Sequence, residues 1–169
     1  MHGSAPRLCL KFQSLAPRLA LIALLANVVS ACERSSPAGP SGSGGNLAAN
    51  LSFCADEVNR YRASVGRPLL SRSSDLEAFA SQAAQNDGLM HQAHHFFAIT
   101  NGGGAAMAEN EILWWQGYGI RGVIEQGLQQ MWKSGPNGEH YDIMVGNFTQ
   151  IGCGIFVNGA EVTVAQDFR

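Results

Sequence analysis

Ile151-Gly-Cys-Gly-Ile-Phe-Val157, then Asn158-Gly159, then Ala160-Glu-Val-Thr-Val-Ala-Gln166 is the stretch that decides the fold. Two runs rich in β-branched and aromatic residues flank Asn-Gly, the strongest two-residue hairpin signal, so the C-terminal segment reads as an antiparallel β-hairpin. Upstream the period changes. Cys54, Val58, Tyr61 and Val65 fall on one face of a helix that Ser52 can cap and that Gly66 and Pro68 stop. Ser74 with Glu77 forms a capping box for a second helix, whose stripe is Leu76, Phe79, Ala80, Ala83 and Ala84 and which ends at Gly88. A third runs from about Ile120 to Trp132, with Val123, Ile124, Leu128 and Met131 inward, and a short one covers His140 to Val145. Between Leu89 and Gly119 the pattern is irregular, and a long loop inside a compact domain is usually functional or disordered. Helices first and paired strands last predict an α+β fold, with helices packed on a small antiparallel sheet.

The chain has 169 residues, with 46% apolar and 14% charged residues and a net charge of −2. That is enough apolar surface for a core, which excludes a disordered polyelectrolyte. No basic excess exists to neutralise phosphates, so nucleic acid is not an expected partner.

The first 46 residues read as lying outside the fold. Arg7, Lys11 and Arg18 precede an apolar run, Leu19 to Val29, that is too short to span a bilayer. A basic start, an apolar centre and small residues at the end describe a secretory signal over residues 1–31. Val29-Ser30-Ala31-Cys32 resembles the lipobox of bacterial lipoproteins, which implies lipidation of Cys32. The Gly/Ser/Pro stretch within residues 32–47 reads as a flexible tether reaching roughly 20 Å, with the domain proper over 48–169. Without residues 1–31 the chain keeps eight basic against thirteen acidic residues, a charge of −5. Adhesion to anionic lipid is then disfavoured, and the lipid itself is the expected membrane contact. Glu33 after Cys32 is not the aspartate that retains some lipoproteins in an inner membrane, which favours an outer membrane or cell surface.

Of four cysteines, Cys9 leaves with the signal and Cys32 carries the lipid. Cys54 and Cys153 remain in a compartment where disulfides persist. They are read either as a bridge or as two buried thiols.

Four segments in order resemble the CAP superfamily (cysteine-rich secretory proteins, antigen 5, pathogenesis-related 1; the SCP domain). They are Val58-Asn-Arg-Tyr-Arg62 with Arg67-Pro-Leu69, Ala108-Glu-Asn-Glu-Ile112, Trp132 to His140, and Asn147 to Gly154 followed by Ala165-Gln-Asp-Phe168. The resemblance implies a three-layer α–β–α sandwich with a surface cleft lined by two histidines and one or two acids. By motif position it assigns His140 and Glu109 to that cleft. It assigns His91 as the earlier histidine, with His94 and His95 as close competitors. The family's fourth position, an acid, falls on Gly135, and Glu139 is the nearest substitute.

Two imidazoles and a carboxylate can hold a divalent cation such as zinc, here at His91 and His140, or act as an acid/base pair. No Gly-x-Ser-x-Gly elbow accompanies them, and His91-Gln-Ala-His94-His95 lacks the glutamate of His-Glu-x-x-His. Trp114, Trp115 and Tyr118 read as loop packing or as an apolar rim for a ligand. The expected function is an exported, lipid-anchored binding module that takes a small lipid or a protein partner through a His/Glu cleft. The alternative is a peptidase-like hydrolase in which His140 and Glu109, with His91 the other candidate, activate a water.

Overall fold

The structure, a computed structural model, describes residues 47–169. The expected signal, the expected lipidation of Cys32 and nearly all of the expected tether lie outside these residues. In chain order the elements are α1 (Leu47–Ser64), β1 (Ser71–Arg72), α2 (Ser74–Met90), α3 (His95–Thr100), a 3-10 turn (Asn101–Gly104), β2 (Ala108–Trp115), α4 (Ile120–Lys133), α5 (Glu139–Met144), β3 (Gln150–Asn158) and β4 (Glu161–Phe168). The sheet order is β1-β3-β4-β2, with β1 parallel to β3 and the other pairs antiparallel.

Alternation along the strands divides the molecule into three layers. One face of the sheet presents Ile151, Cys153, Val164 and Phe168 to Cys54 and Val58 of α1, Val123, Ile124 and Leu128 of α4, and Met144 of α5. The other face presents Ala165 to Ala80, Ala83 and Ala84 of α2. This second layer is thin because β3 carries glycines under the helix. A Cβ at Gly152 would run into the Leu76–Glu77 backbone, and one at Gly154 into that of Ala80 and Ser81. The helix therefore rests on the strand backbone itself. The three-layer α–β–α arrangement expected from sequence is present.

Cys54 and Cys153 are joined in a disulfide that ties α1 to β3, both residues fully buried. Its 99-residue separation corresponds to about 4.7 kcal/mol of lost unfolded-state entropy in the chain-entropy treatment. The motif around α1 does equally specific work. Asn59 clamps Leu70 in both directions, donating from Nδ2 to its carbonyl at 2.9 Å and accepting from its N–H at 2.8 Å. Arg62, fully buried, donates to the carbonyls of Pro68, Met144 and Gly146 at 2.8–3.0 Å. Among the described residues no acid forms an ion pair with it, and burial lowers its pKa.

Three boundaries differ from the sequence reading. The first helix begins at Leu47, so Ser52 lies inside it, its Oγ 3.4 Å from Asp56 Oδ2. Ser73 rather than Ser74 caps α2, and the helix passes Gly88 to end at Met90. The hairpin turn is Gly159-Ala160, one residue later than Asn158-Gly159, because Asn158 pairs with Glu161. The larger difference is β2, a whole strand within the span read as irregular.

Candidate functional site

β2 lies at the sheet edge with Glu109 opposite Asp167 and Glu111 opposite Ala165 of β4. Strand alternation sends Glu109 and Glu111 to the α2 side, where Asp87 and the turn after α2 meet them, while Asn110 and Ile112 face the other layer. Two non-glycine residues in the left-handed region build that turn, His91 at φ 51° and His94 at φ 52°. Phe96 N–H donates to Asp87 Oδ1 at 2.9 Å and holds the turn against the helix. His94 thereby sits over both glutamates. Its backbone N–H donates to Glu111 Oε2 at 2.6 Å, and its Nδ1 lies 3.0 Å from Glu109 Oε1 and 3.5 Å from Glu111 Oε2.

Four carboxyls crowd this layer. Asp87, Glu109, Glu111 and Asp167 are all buried. Among the described residues, Glu109 Oε2, Glu111 Oε1, Asp87 Oδ2 and both Asp167 oxygens find no hydrogen-bond partner. Burying a carboxylate unpaired is expensive, so such groups take up a proton or a cation. Burial, then the neighbouring charge of Glu109, pushes the Glu111 carboxyl up to about 8. The same causes push Asp167 up to about 9. Burial also raises Glu109 and Asp87, and the hydrogen bond to Glu109 raises His94.

One ligand atom each from His94, Glu109 and Glu111 lies within 4.8 Å of the other two. An imidazole nitrogen and two carboxylates form a donor set that suits a divalent cation, and the free second oxygen of each glutamate fits the same demand.

On the other side of β2, Asn110 Nδ2 donates to the backbone carbonyl of His140 at 3.0 Å and brings α5 to the strand. A groove of about 520 Å³ runs here between the edge of β2 and α4, with Glu111 and His140 both on its wall. Trp114 and Trp115 line it as well. β2 bulges between Ile112 and Trp115, and Trp114 adopts φ 59°. Its indole N–H donates to the Asp87 carbonyl at 3.3 Å. Thus Trp114 both packs the turn and borders the groove.

His91 is elsewhere. Its Nε2 lies 2.9 Å from Glu161 Oε2 near the hairpin turn, its ring stacks on Trp114 at 5.0 Å, and its side chain is 54% exposed. The place beside Glu109 is taken by His94, and the structure does not bring His91 to that pair. His95 pairs with Asn86, its Nδ1 2.9 Å from Oδ1. Glu139 is exposed in the first turn of α5 and is not on the groove wall. Ser134 donates to the Met131 carbonyl at 2.7 Å as a helix-end contact. Glu111, Asp87 and Asp167 had no role in the sequence reading. Alternation about Asn110 was the available signal that Glu109 and Glu111 share a face.

The signature of the CAP family, described as the cysteine-rich secretory protein family, matches residues 55–168. The chain belongs to the CAP family. Solved structures show the same fold at low identity. A structure of NaASP2 with Zn2+ aligns with a TM-score of 0.56 at 14% identity, over 76% of this chain and 82% of that one. An outer surface protein from Borrelia burgdorferi aligns at 0.50 and 14% identity, over 72% and 92%. A cysteine-rich secretory protein from Staphylococcus aureus aligns at 0.50 and 12% identity, over 77% of this chain and 41% of that one. No curated protein matches the sequence. Among the described residues of this CAP domain, no helix is long and apolar enough to cross a membrane.

Proposed function

We propose that this CAP domain is an extracytoplasmic binding module, exported by residues 1–31 and anchored through a lipid on Cys32. It takes its ligand or protein partner in the groove between β2 and α4, beside a divalent cation held by His94, Glu109 and Glu111. The carrying observation is that convergent donor set, whose ligand atoms lie within 4.8 Å of one another. The NaASP2 structure is one with Zn2+, which supports zinc as the first ion to try here. Surface exposure fits the location named for the Borrelia relative. When bound, the cation supplies positive charge and open coordination positions. The chain's own part is to hold three donors in place through the His91–His94 turn and the β2 pairing, and to set Glu111 at the boundary between the acid layer and the groove.

The test is calorimetric titration of the full chain with zinc, beside Glu109→Gln and Glu111→Gln. Saturable binding lost in both variants supports the reading. Equal binding by all three proteins overturns it.

A hydrolytic reading draws on the same set, since three protein ligands leave a position for an activated water and His140 borders the groove. Zinc-dependent turnover of a peptide or ester library that is lost in His140→Ala, with the fold intact, would favour it over binding alone.

A further inference from the structure

Five large apolar side chains stand exposed at one end of the domain, the end that carries the β3–β4 hairpin turn. Contacts from every layer place them there. Arg121 Nε donates to Asn50 Oδ1 at 3.2 Å, so the first turns of α1 and α4 lie together, with Leu47 at the start of α1. Gly88 rests against the Phe156 ring, which brings the end of α2, with Leu89 and Met90, to the end of β3 where Val157 stands. Gln116 Nε2 donates to Glu161 Oε1 at 3.2 Å beside the hairpin turn, and Tyr118 follows two residues on. Leu47, Leu89, Met90, Tyr118 and Val157 are each 48–58% exposed.

Single exposed apolar residues are ordinary. This end differs in its lack of charge. Residues 47–55, 88–93, 112–120 and 151–160 contain no Asp, Glu, Lys or Arg. The two charges at its border are engaged. Arg121 is held by Asn50 and lies 4.6 Å over the Phe53 ring, and Glu161 is held by His91 and Gln116. By contrast, Val65 and Leu69 flank Arg67 at the far end of α1, Ile99 lies on α3, and the Met107 N–H donates to the Phe168 carbonyl at the opposite end of β4.

The chain outside the described residues joins the domain at this same end. Leu47 is the first described residue, and residues 32–46 link it to Cys32. Read as a tether, that link keeps the hairpin end within roughly 20 Å of a lipid on Cys32. A charge of −5 without residues 1–31 disfavours ionic adhesion to anionic lipid and leaves apolar contact.

We infer that, with the chain anchored through Cys32 as proposed, this uncharged end docks on the bilayer that holds the anchor, seating Leu89, Met90, Tyr118 and Val157 at its interface. Apolar side chains and tyrosine suit the boundary between headgroups and acyl chains, and their contribution adds to that of a lipid anchor. Docking orients the groove. α4 starts at the docked end and rises about 20 Å to Lys133, so the Lys133, Ser134 and His140 end of the groove faces away from the membrane, where a partner can reach it.

The experiment uses the full chain with Cys9→Ser, coupled through the Cys32 thiol to phosphatidylcholine vesicles carrying a trace of maleimide lipid. The chain is then held where the anchor would hold it. Met90 and Met107 are native reporters at opposite ends, both exposed. Peroxide converts an accessible methionine to its sulfoxide, which peptide mass spectrometry reads. Seating even one such side chain favours the docked pose by about tenfold, so Met90 oxidation is expected to slow by about that factor on vesicles while Met107 is unchanged. Leu89→Asp with Val157→Asp, both at exposed positions, is expected to return Met90 to the rate of the uncoupled chain. Equal rates on and off vesicles, or equal slowing of the two methionines, overturns the inference. So does Met90 protection that survives the double substitution, or that grows with protein concentration without vesicles, the mark of a second copy covering this end. The mass of Cys32 in protein taken from its own membrane is a separate readout: an unmodified thiol there removes the anchor, and the vesicle result alone decides the docking.

Discussion

Asn110 Nδ2 donates to the backbone carbonyl of His140 at 3.0 Å, and this bond joins the edge strand to α5. Asn110 is fully buried between two glutamates on adjacent strand positions, so one residue spaces the acid layer from the histidine. In Asn110→Ala the carbonyl loses its donor. The expected cost is about 1–3 kcal/mol, with faster hydrogen exchange confined to Glu139–Met144. A uniform rise in exchange across the domain would contradict a local positioning role.

His94 and His91 are expected to separate cleanly. His94→Ala removes the imidazole facing Glu109 and Glu111, and a loss of about 10- to 100-fold or more in zinc affinity is expected. His91→Ala removes a surface ion pair with Glu161 and a ring stack on Trp114, and zinc affinity should hold. Calorimetry on the two variants decides, and the reverse order would return the metal to His91.

Stability of the metal-free domain is expected to fall as pH rises. Glu111 and Asp167 titrate near 8 and 9 when folded, against ordinary values of 4.5 and 3.8, and Asp87 and Glu109 are raised too. Between those limits the folded state binds more protons than the unfolded state, so unfolding free energy declines across the window. His94, also raised, adds stability that is complete below its unfolded pKa and is lost as pH passes its folded one. Both trends share a sign. A bound cation competes with the same protons, so stabilisation by zinc should grow over that range. Urea midpoints at acidic, neutral and alkaline pH, with and without zinc, measure this. A flat or rising metal-free profile would show that the acid layer is not buried as described.

Gly154→Val is expected to be among the most damaging single changes in the domain. The new side chain meets backbone rather than a movable side chain, so α2 must lift from the sheet. A loss of at least about 1–3 kcal/mol follows, read as a lowered urea midpoint. Gly159→Ala, at a hairpin turn with open space around it, should cost far less despite its φ of 61°.

Much of the architecture is legible in the sequence alone. The hairpin declares itself through Asn158-Gly159, and α4 through the spacing of Val123, Ile124 and Leu128. β2 does not, because Ala108-Glu-Asn-Glu-Ile112 buries its acids on the inward face, where a hydrophobic pattern expects apolar residues. The strand is hidden by the very residues that make the site. His94 is legible only as a competitor of His91, for a different reason. Its position depends on two non-glycine residues in left-handed conformations, which no local preference announces. Asp167 stands in a recognisable motif, but its meeting with Glu109 is a matter of strand register and not of sequence distance.

Under the proposed anchoring through Cys32, the bridge between Cys54 and Cys153 takes on a mechanical meaning. A pull transmitted to Leu47 would ordinarily peel α1 away turn by turn. Two turns in, it reaches a covalent link to the strand that lies between β1 and β4. Load then passes into the middle of the sheet, where the pairings with β1 and β4 resist in shear. The first helix would thus act as a bolted bracket between the proposed anchor and the sheet.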